Sequence, residues 1–247
     1  MKPGGVHPER REFRQSMKRG HPFWRVRVRR WSALSGVIGM LGLTGCASVL
    51  DALPTAGPVY RPKNIYLGVE KLPRDVKRVA VLPLRVDSRD FATEQARPGL
   101  QKALLGELSK ANRFELVPVK PDHLRDWSGK LAWGPEEELP EGLLERIRKE
   151  TGCDGVLFCQ VTGYRAYPPL AIGWRLRLVD AEGMQVWWAA DEWFDAGDAA
   201  VANAARKHYM ERAPRPLALA DAQQILYSPL RFGTYTASAL AATCPSR

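Results

Sequence analysis

Few side chains in this sequence are spaced as catalytic groups. His123 follows Pro121-Asp122 in a stretch with the composition of a loop, where an imidazole with an acid nearby could serve as the general base of a hydrolase. No Ser or Cys motif accompanies it, and the chain contains no HExxH, CxxC, GxSxG or glycine-rich phosphate-binding sequence. His208 lies on the apolar stripe of a predicted helix and is interpreted as a hydrogen-bonded core histidine. The sequence therefore predicts no catalytic residue, metal site or cofactor, and the His123 hydrolase is kept only as an alternative.

Cys46 is the residue whose surroundings point to a specific reaction. An apolar run at residues 31–43 follows a basic stretch, and it is shorter than the ~20 residues that span a bilayer. Its end, Leu43-Thr44-Gly45-Cys46, resembles the lipobox of bacterial lipoproteins, which joins an apolar residue, a small polar residue, Gly and Cys. In that family the thiol accepts diacylglycerol, and the small residues let a signal peptidase cut between Gly45 and Cys46. Residues 1–45 are therefore predicted to be a signal peptide and Cys46 the lipidated residue.

The net charge of +10 belongs almost entirely to the predicted signal peptide. Residues 1–45 contain ten Lys and Arg and two Glu, so the remaining 27 basic and 25 acidic residues leave a net charge of +2. No Lys/Arg cluster of the kind that binds phosphates remains, which argues against a nucleic-acid partner. Met1 and Met17 are both possible starts, and Arg29-Arg30 leaves twin-arginine export open beside general secretion.

The residue after Cys46 bears on location. It is Ala47 rather than Asp, which by resemblance to the sorting rules of Gram-negative bacteria implies the outer membrane rather than the inner one. The expected place is the inner leaflet of the outer membrane, with the folded part in the periplasm. Acyl chains on Cys46 would hold the protein there, because each buried methylene contributes ~0.8 kcal/mol.

The chain downstream of the signal peptide divides into three predicted segments. Prolines and glycines are frequent in residues 46–75, which predicts a lipidated cysteine followed by an extended tether. Residues 76–213 alternate strands and helices in the order β-α-β-α-β-β-β-α, and residues 214–247 form a short helical C-terminal appendage. The predicted fold class is α/β, with a single mixed sheet of about five strands and covering helices. We expect strands near 76–86, 114–119, 153–164, 172–178 and 185–194, and helices near 94–111, 140–151 and 198–212.

Three segments of the predicted domain resemble a known group of envelope domains. They are Arg78-Val-Ala-Val-Leu-Pro-Leu84, Phe114-Glu-Leu-Val-Pro-Val119 and Thr151-Gly-Cys-Asp-Gly-Val-Leu157. With the lipobox, they are similar to the periplasmic α/β domain of curli-assembly lipoproteins, of penicillin-binding-protein activator lipoproteins and of the amino-terminal domain of TolB, over about residues 76–213. The resemblance implies a non-catalytic binding or assembly role, with envelope proteins or further copies of the chain as partners.

An oligomeric secretion-channel component is the alternative that the same resemblance leaves open. The hairpin at 171–194 is required by the domain's own sheet, and its Arg175, Arg177 and Asp191 suit water better than lipid. We therefore do not expect this hairpin to form a pore.

Tryptophan and arginine on the hairpin suggest where a partner would bind. Arg175 and Arg177 alternate with apolar residues, and we hypothesise that they line a partner surface with Trp187 and Trp193, because Trp and Arg dominate binding energetics. Helices over both faces of the sheet would instead hide these side chains.

The cysteines of the predicted domain leave their redox state open. Cys153 and Cys159 are six residues apart on a predicted strand, which puts them on one face roughly 20 Å apart and too far to pair. Either one pairing with Cys244, or three buried free thiols, remain the alternatives.

Replacement of Cys46 by Ser tests the lipid anchor, because a hydroxyl does not replace the thiol as acceptor. We expect the variant to incorporate no radiolabelled palmitate and to keep the electrophoretic size of the uncut precursor. Cys244→Ser, as a control, should be labelled like the wild type. A wild-type chain that takes up no palmitate would contradict the prediction.

Overall fold

Seven strands form one mixed sheet in the computed structural model of the chain, which describes residues 57–87, 91–182, 185–214 and 219–247. They are ordered β1-β7-β6-β5-β2-β4, and β3 continues the line of β2 by pairing with β5. β2 pairs in parallel with β4 and β5, whereas β5, β6, β7 and β1 pair antiparallel. The α/β class with a single mixed sheet is confirmed. The strands are β1 (Ile65–Leu67), β2 (Arg78–Val81), β3 (Arg85–Val86), β4 (Glu115–Pro118), β5 (Gly155–Arg165), β6 (Ala171–Asp180) and β7 (Val186–Asp195).

Local signals in the sequence set several helix ends. The Asp198 carboxylate accepts a hydrogen bond from the Ala200 N–H, which caps a helix at its first turn. Gly152 has φ of 63° and ends the preceding helix, because glycine adopts this left-handed conformation without strain. Within the described residues the helices are α1 (Phe91–Ala111), α2 (Pro121–Ser128), α3 (Leu143–Thr151), α4 (Ala199–Glu211), α5 (Leu219–Ala222) and α6 (Pro229–Ala241), with a 3₁₀ helix at Gln223–Tyr227.

One face of the sheet is covered by α1, α4 and α6, and we call it the three-helix face. Trp174 and Trp188 are fully buried there, and their indole N–H groups donate to Thr236 and Thr243 at 2.9 and 3.1 Å. These two hydrogen bonds connect α6 and the residues just after it to β6 and β7. The region predicted as a C-terminal appendage is therefore part of the core, with Phe232, Tyr235 and Leu240 buried in it.

The opposite face is covered over only part of its width. Helices α2 and α3 pack on β2 and β5 through a second core that includes Leu82, Leu124, Ile147 and Phe158. Beyond this core, Arg175 and Arg177 of β6, Ala189, Asp191 and Trp193 of β7 and Tyr66 of β1 project to the same side and are half-buried or exposed. We call this uncovered part the open face.

Part of the segment predicted as a tether belongs to the folded body. Residues 57–75 lie on the body, where β1 pairs with β7 and Leu72 is buried. Sequence periodicity did not reveal β1, because three residues are too few for a pattern. Residues 46–56, with Cys46, and the predicted signal peptide with Gly45 lie outside the described residues.

Two further differences concern cysteines and one helix. Cys153 packs in the core beneath α2 and α3, whereas Cys159 packs on the three-helix face, so the two do not share a face. The period of two fails because Cys153 precedes β5, directly after the turn at Gly152. Both of these thiols and that of Cys244 are free and buried. Helix α2 occupies a stretch that was expected to be a loop.

Truncation of Leu240 tests whether the C-terminal helix belongs to the core. Leu240→Ala should lower the free energy of unfolding by about 2–5 kcal/mol, because it leaves a cavity among fully buried neighbours. Leu230→Ala, near the start of the same helix where the side chain is 58% exposed, should change it by less than about 0.5 kcal/mol. Urea unfolding measures both values. Equal small losses would show that the helix is a dispensable appendage.

Candidate functional site

Arg175 lies at the centre of the open face and is held by two carboxylates. Its position on β6 is opposite Asp191 on β7, and the guanidinium donates to Asp191 at 2.8 Å and to Glu136 at 2.7 Å. Burial alone would lower the pKa of Arg175, but the hydrogen bond and charge of Asp191, aided by Glu136, raise it. The side chain is therefore fixed in place and charged.

Arg177, two residues along the same strand, has a different environment. Its guanidinium donates to the Pro135 carbonyl at 2.9 Å, and among the described residues no carboxylate lies within ion-pair distance of it. Its positive charge is thus available to a ligand, although its position is already fixed by a hydrogen bond.

The indole of Trp193 packs against two glycines on the open face. Gly163, Gly173 and Trp193 stand opposite one another in β5, β6 and β7, and a Cβ added to either glycine would come within 2.7 Å of the indole. The ring is therefore seated on bare backbone, yet 49% of the residue remains exposed. A fixed, half-exposed indole loses little conformational entropy when a partner covers it.

A groove of about 460 Å³ crosses the open face beside these residues. Ala189 and Ala190 are among its lining residues, and Tyr66 on the edge strand β1 is 59% exposed there. Pro135 and Glu136, in the loop between α2 and α3, also line the groove. Small apolar, aromatic and charged groups thus meet in one concave surface, which is the usual composition of a protein-binding patch.

The structure separates one of the four predicted surface residues from the others. Arg175, Arg177 and Trp193 share the open face, but Trp187 is 4% exposed and belongs to the three-helix core. The register of β6 and β7 shifts at this point, since Leu178 pairs with Trp188 and Val179 with Val186. Trp187 is the extra residue of a β-bulge, so the alternation that would place it opposite Trp188 is interrupted.

Sequence reasoning missed the other groups that complete this surface. Tyr66 belongs to a strand that was expected to be tether, and Glu136 lies in the acidic run Glu136-Glu137-Glu138, which has no local pattern that would place it beside Arg175. In the structure this run makes ion pairs, because Glu136 binds Arg175 and Glu137 binds Arg85 and Lys130. Only Asp191 had a usable signal, which was its place opposite Arg175 in a predicted hairpin.

His123 lies apart from the open face. It is exposed on the first turn of α2, and its ring centroid is 5.9 Å from that of Trp127. It does not line the groove on the open face. The neighbouring acid, Asp122, forms an ion pair with Arg125 at 3.1 Å.

His208 lies in the core, but it is not hydrogen-bonded as expected. Within the described residues neither ring nitrogen has a hydrogen-bond partner, and the ring stacks at a tilt against Tyr235 with centroids 5.6 Å apart. Burial, and secondly the positive charge of Arg212, lower the pKa of His208 to about 4. It is therefore a neutral packing residue at pH 7.

Two searches of the described residues concern metals and membranes. No group of three or more His, Cys, Asp or Glu side chains is placed to hold a metal ion. No helix in this part of the chain has the length and apolar character needed to cross a membrane.

Comparisons with known proteins give weak structural similarities. No protein-family model matches the chain, and no curated protein matches it. The PelC dodecamer from Paraburkholderia phytofirmans is 16% identical, with 68% of this chain and 94% of that chain covered and a TM-score of 0.37. Lipoprotein GNA1162 from Neisseria meningitidis is 20% identical (50% and 86% covered, TM-score 0.35), and the LpoB C-terminal domain from Escherichia coli is 19% identical (47% and 81% covered, TM-score 0.29). Structures similar to the chain thus include a lipoprotein, at TM-scores too low to support an argument about function.

The low pKa of His208 predicts a pH dependence of stability. As the pH falls below 6.5 the unfolded chain gains a proton that the folded protein accepts only near pH 4, so the free energy of unfolding falls across this window. Between pH 7.5 and 4.5, the free energy of unfolding should fall by about 2 kcal/mol less in His208→Gln than in the wild type. This value allows for the part of the ring that contacts solvent. Urea unfolding at the two pH values measures it. His123→Gln should keep the wild-type loss, and an unchanged loss in His208→Gln would contradict the assignment.

Proposed function

We propose that this chain is a lipid-anchored, non-catalytic module of the bacterial cell envelope that binds another envelope protein through its open face. The observation that carries the proposal is the open face itself, where Arg177, held by the Pro135 carbonyl, lines a groove and the half-exposed Trp193 projects from the same face. Preorganised aromatic and guanidinium groups are the side chains that supply most of the energy in protein–protein binding.

The chemistry of the groove favours a protein as the partner. Tyr66 and Ala189 offer apolar contact, while Arg177 can donate to carbonyl or carboxylate oxygens and Asp191 can accept from N–H groups. A peptide segment carries apolar side chains, N–H groups and carbonyls in alternation, so it suits such a mixed lining. The groove is open rather than enclosed by side chains on every side, which also suits a partner's loop or strand better than a small substrate.

The proposed location depends on the sequence before residue 57. The lipobox-like Leu43-Thr44-Gly45-Cys46 supports lipid on Cys46, and Ala47 supports the inner leaflet of the outer membrane rather than the inner membrane. The body would then stand in the periplasm, where its partners are other envelope proteins or further copies of itself.

Crosslinking in intact envelopes, followed by purification of the tagged chain, tests the proposed binding. We expect the triple variant Arg175→Ala, Arg177→Ala, Trp193→Ser to lose at least about 90% of a crosslinked partner, corresponding to about 1.4 kcal/mol or more of binding energy. Because the Arg175 ion pairs are partly exposed, their loss should cost the fold only about 1 kcal/mol or less. Thermal unfolding of the variant checks that it is folded.

A matched control places the same chemical changes elsewhere on the surface. Arg146→Ala, Lys149→Ala, Tyr227→Ser removes two cations and one exposed aromatic that do not line the groove, and it should retain every crosslinked partner. Retention of all partners by the folded open-face variant would refute the proposal. Partner loss in both variants would show that the open face is not the specific site.

A further inference from the structure

Most exposed large apolar side chains lie at one end of the sheet. We call it the Tyr167 end, because Tyr167 lies in the loop where β5 ends at Arg165 and β6 begins at Ala171. β7 also ends here, at Asp195, whereas the opposite end carries the turn between β6 and β7 that contains Glu182. Of nine exposed large hydrophobic side chains in the described residues, six lie at the Tyr167 end. They are Val59, Phe91, Tyr167, Trp193, Tyr227 and Leu230.

The direction of α1 and α6 places the first turn of each helix, with its exposed apolar side chain, at the Tyr167 end. α1 follows β3, which runs parallel to β5, so it begins at the Tyr167 end with Phe91, which is 73% exposed. α6 runs the same way, because Thr236 binds Trp174 in the half of β6 nearer this end, and the later Thr243 binds Trp188 near the start of β7. The first turn of α6 therefore presents the exposed Leu230 here.

The polypeptide that follows the predicted lipid anchor joins the body at this same end. The Tyr60 N–H donates to the Ala200 carbonyl at 3.1 Å, at the first turn of α4. The nearly buried Glu192 carboxylate accepts from the Tyr60 hydroxyl and from the Lys63 and Asn64 N–H groups, the last at 2.6 Å. These bonds fix residues 60–64 before β1 runs away from the Tyr167 end.

We propose that the Tyr167 end rests on the membrane surface, with Tyr167 and Phe91 in the headgroup layer. The inference rests on the lipid on Cys46 proposed above. Ten residues lie between Cys46 and Gly57, and the eleven Cα–Cα steps that join the two reach at most ~40 Å. The anchor therefore keeps the body near the bilayer, and it is connected to the body at the end that carries the exposed aromatic side chains.

The composition of this end suits the interfacial region of a bilayer. Tyrosine and tryptophan are enriched there, since their rings are apolar and their O–H or N–H groups bind water and headgroups. Arg165 beside Tyr167 is paired with Asp195 at 2.7 Å, so its charge is largely compensated. The contact is thus expected to depend on aromatic burial and to be insensitive to salt, unlike that of a polybasic patch.

Depth-dependent fluorescence quenching tests this orientation with the full-length lipidated protein. A bimane label is placed on Glu94→Cys, in the first turn of α1, or on Glu182→Cys at the opposite end, and the buried Cys153, Cys159 and Cys244 do not compete for label. The protein is reconstituted in vesicles of phosphatidylethanolamine and phosphatidylglycerol that contain headgroup-nitroxide lipid. We expect quenching at residue 94 to exceed that at residue 182 by about threefold or more.

Removal of the Phe91 and Tyr167 side chains distinguishes a membrane contact made by these aromatic residues from attachment through the lipid alone. With the label at residue 94, Phe91→Ser with Tyr167→Ser should reduce the excess quenching by about half or more. Tyr227→Ser, at the same end but outside the proposed contact, should leave most of it.

The outcomes distinguish this inference from the proposed function. Protein that floats with the vesicles but shows equal quenching at residues 94 and 182 would overturn the orientation and leave the anchor intact. An excess that survives Phe91→Ser with Tyr167→Ser would overturn the aromatic contact. Protein that does not float with the vesicles would overturn the lipid anchor, and the inference with it.

Discussion

The antiparallel pairing of β5, β6 and β7 determines the rest of the structure. These strands are ten or eleven residues long and extend roughly 33 Å, so they create a broad sheet with two faces to cover. Three helices cover one face, and the fully buried Trp174, Trp188 and Phe232 fill the space beneath them. The short α2 and α3 cover only the β2 and β5 side of the other face. The open face is the part of the sheet that no helix of the described residues covers.

Side chains on the open face are ordered because strand register brings their partners opposite them. Arg175 meets Asp191 across the β6–β7 pair, and Trp193 meets two glycines across three strands. The loop between α2 and α3, which pack on the same side of the sheet, then supplies Glu136 and the Pro135 carbonyl. The surface is thus held by pairings that are distant in sequence, which gives it a defined shape in the absence of a ligand.

Elements with a repeated local pattern could be predicted from the sequence, and elements that depend on distant partners could not. Only a few neighbouring residues determine the alternation in β6, the helix cap at Asp198 and the helix end at Gly152. β1 is a strand only because β7 offers an edge to it, and Trp187 is buried only because a bulge shifts the register. The burial of α6 likewise depends on α1 and the sheet. The same division holds within the candidate site. The hairpin pattern is enough to place Arg175 opposite Asp191, whereas no local pattern places Tyr66 or Glu136 beside them.

Cys153, Cys159 and Cys244 are all buried in the described body, and this burial lowers the reactivity of their thiols. Burial raises the pKa of Cys244 to about 12 and that of Cys159 further, so almost no reactive thiolate forms once the domain has folded. In the folded domain these three thiols are therefore poor partners for thiol–disulfide exchange. In an unfolded chain all three sulfurs would be exposed and open to oxidation. Burial in the folded core, rather than disulfide bonding, therefore protects these thiols.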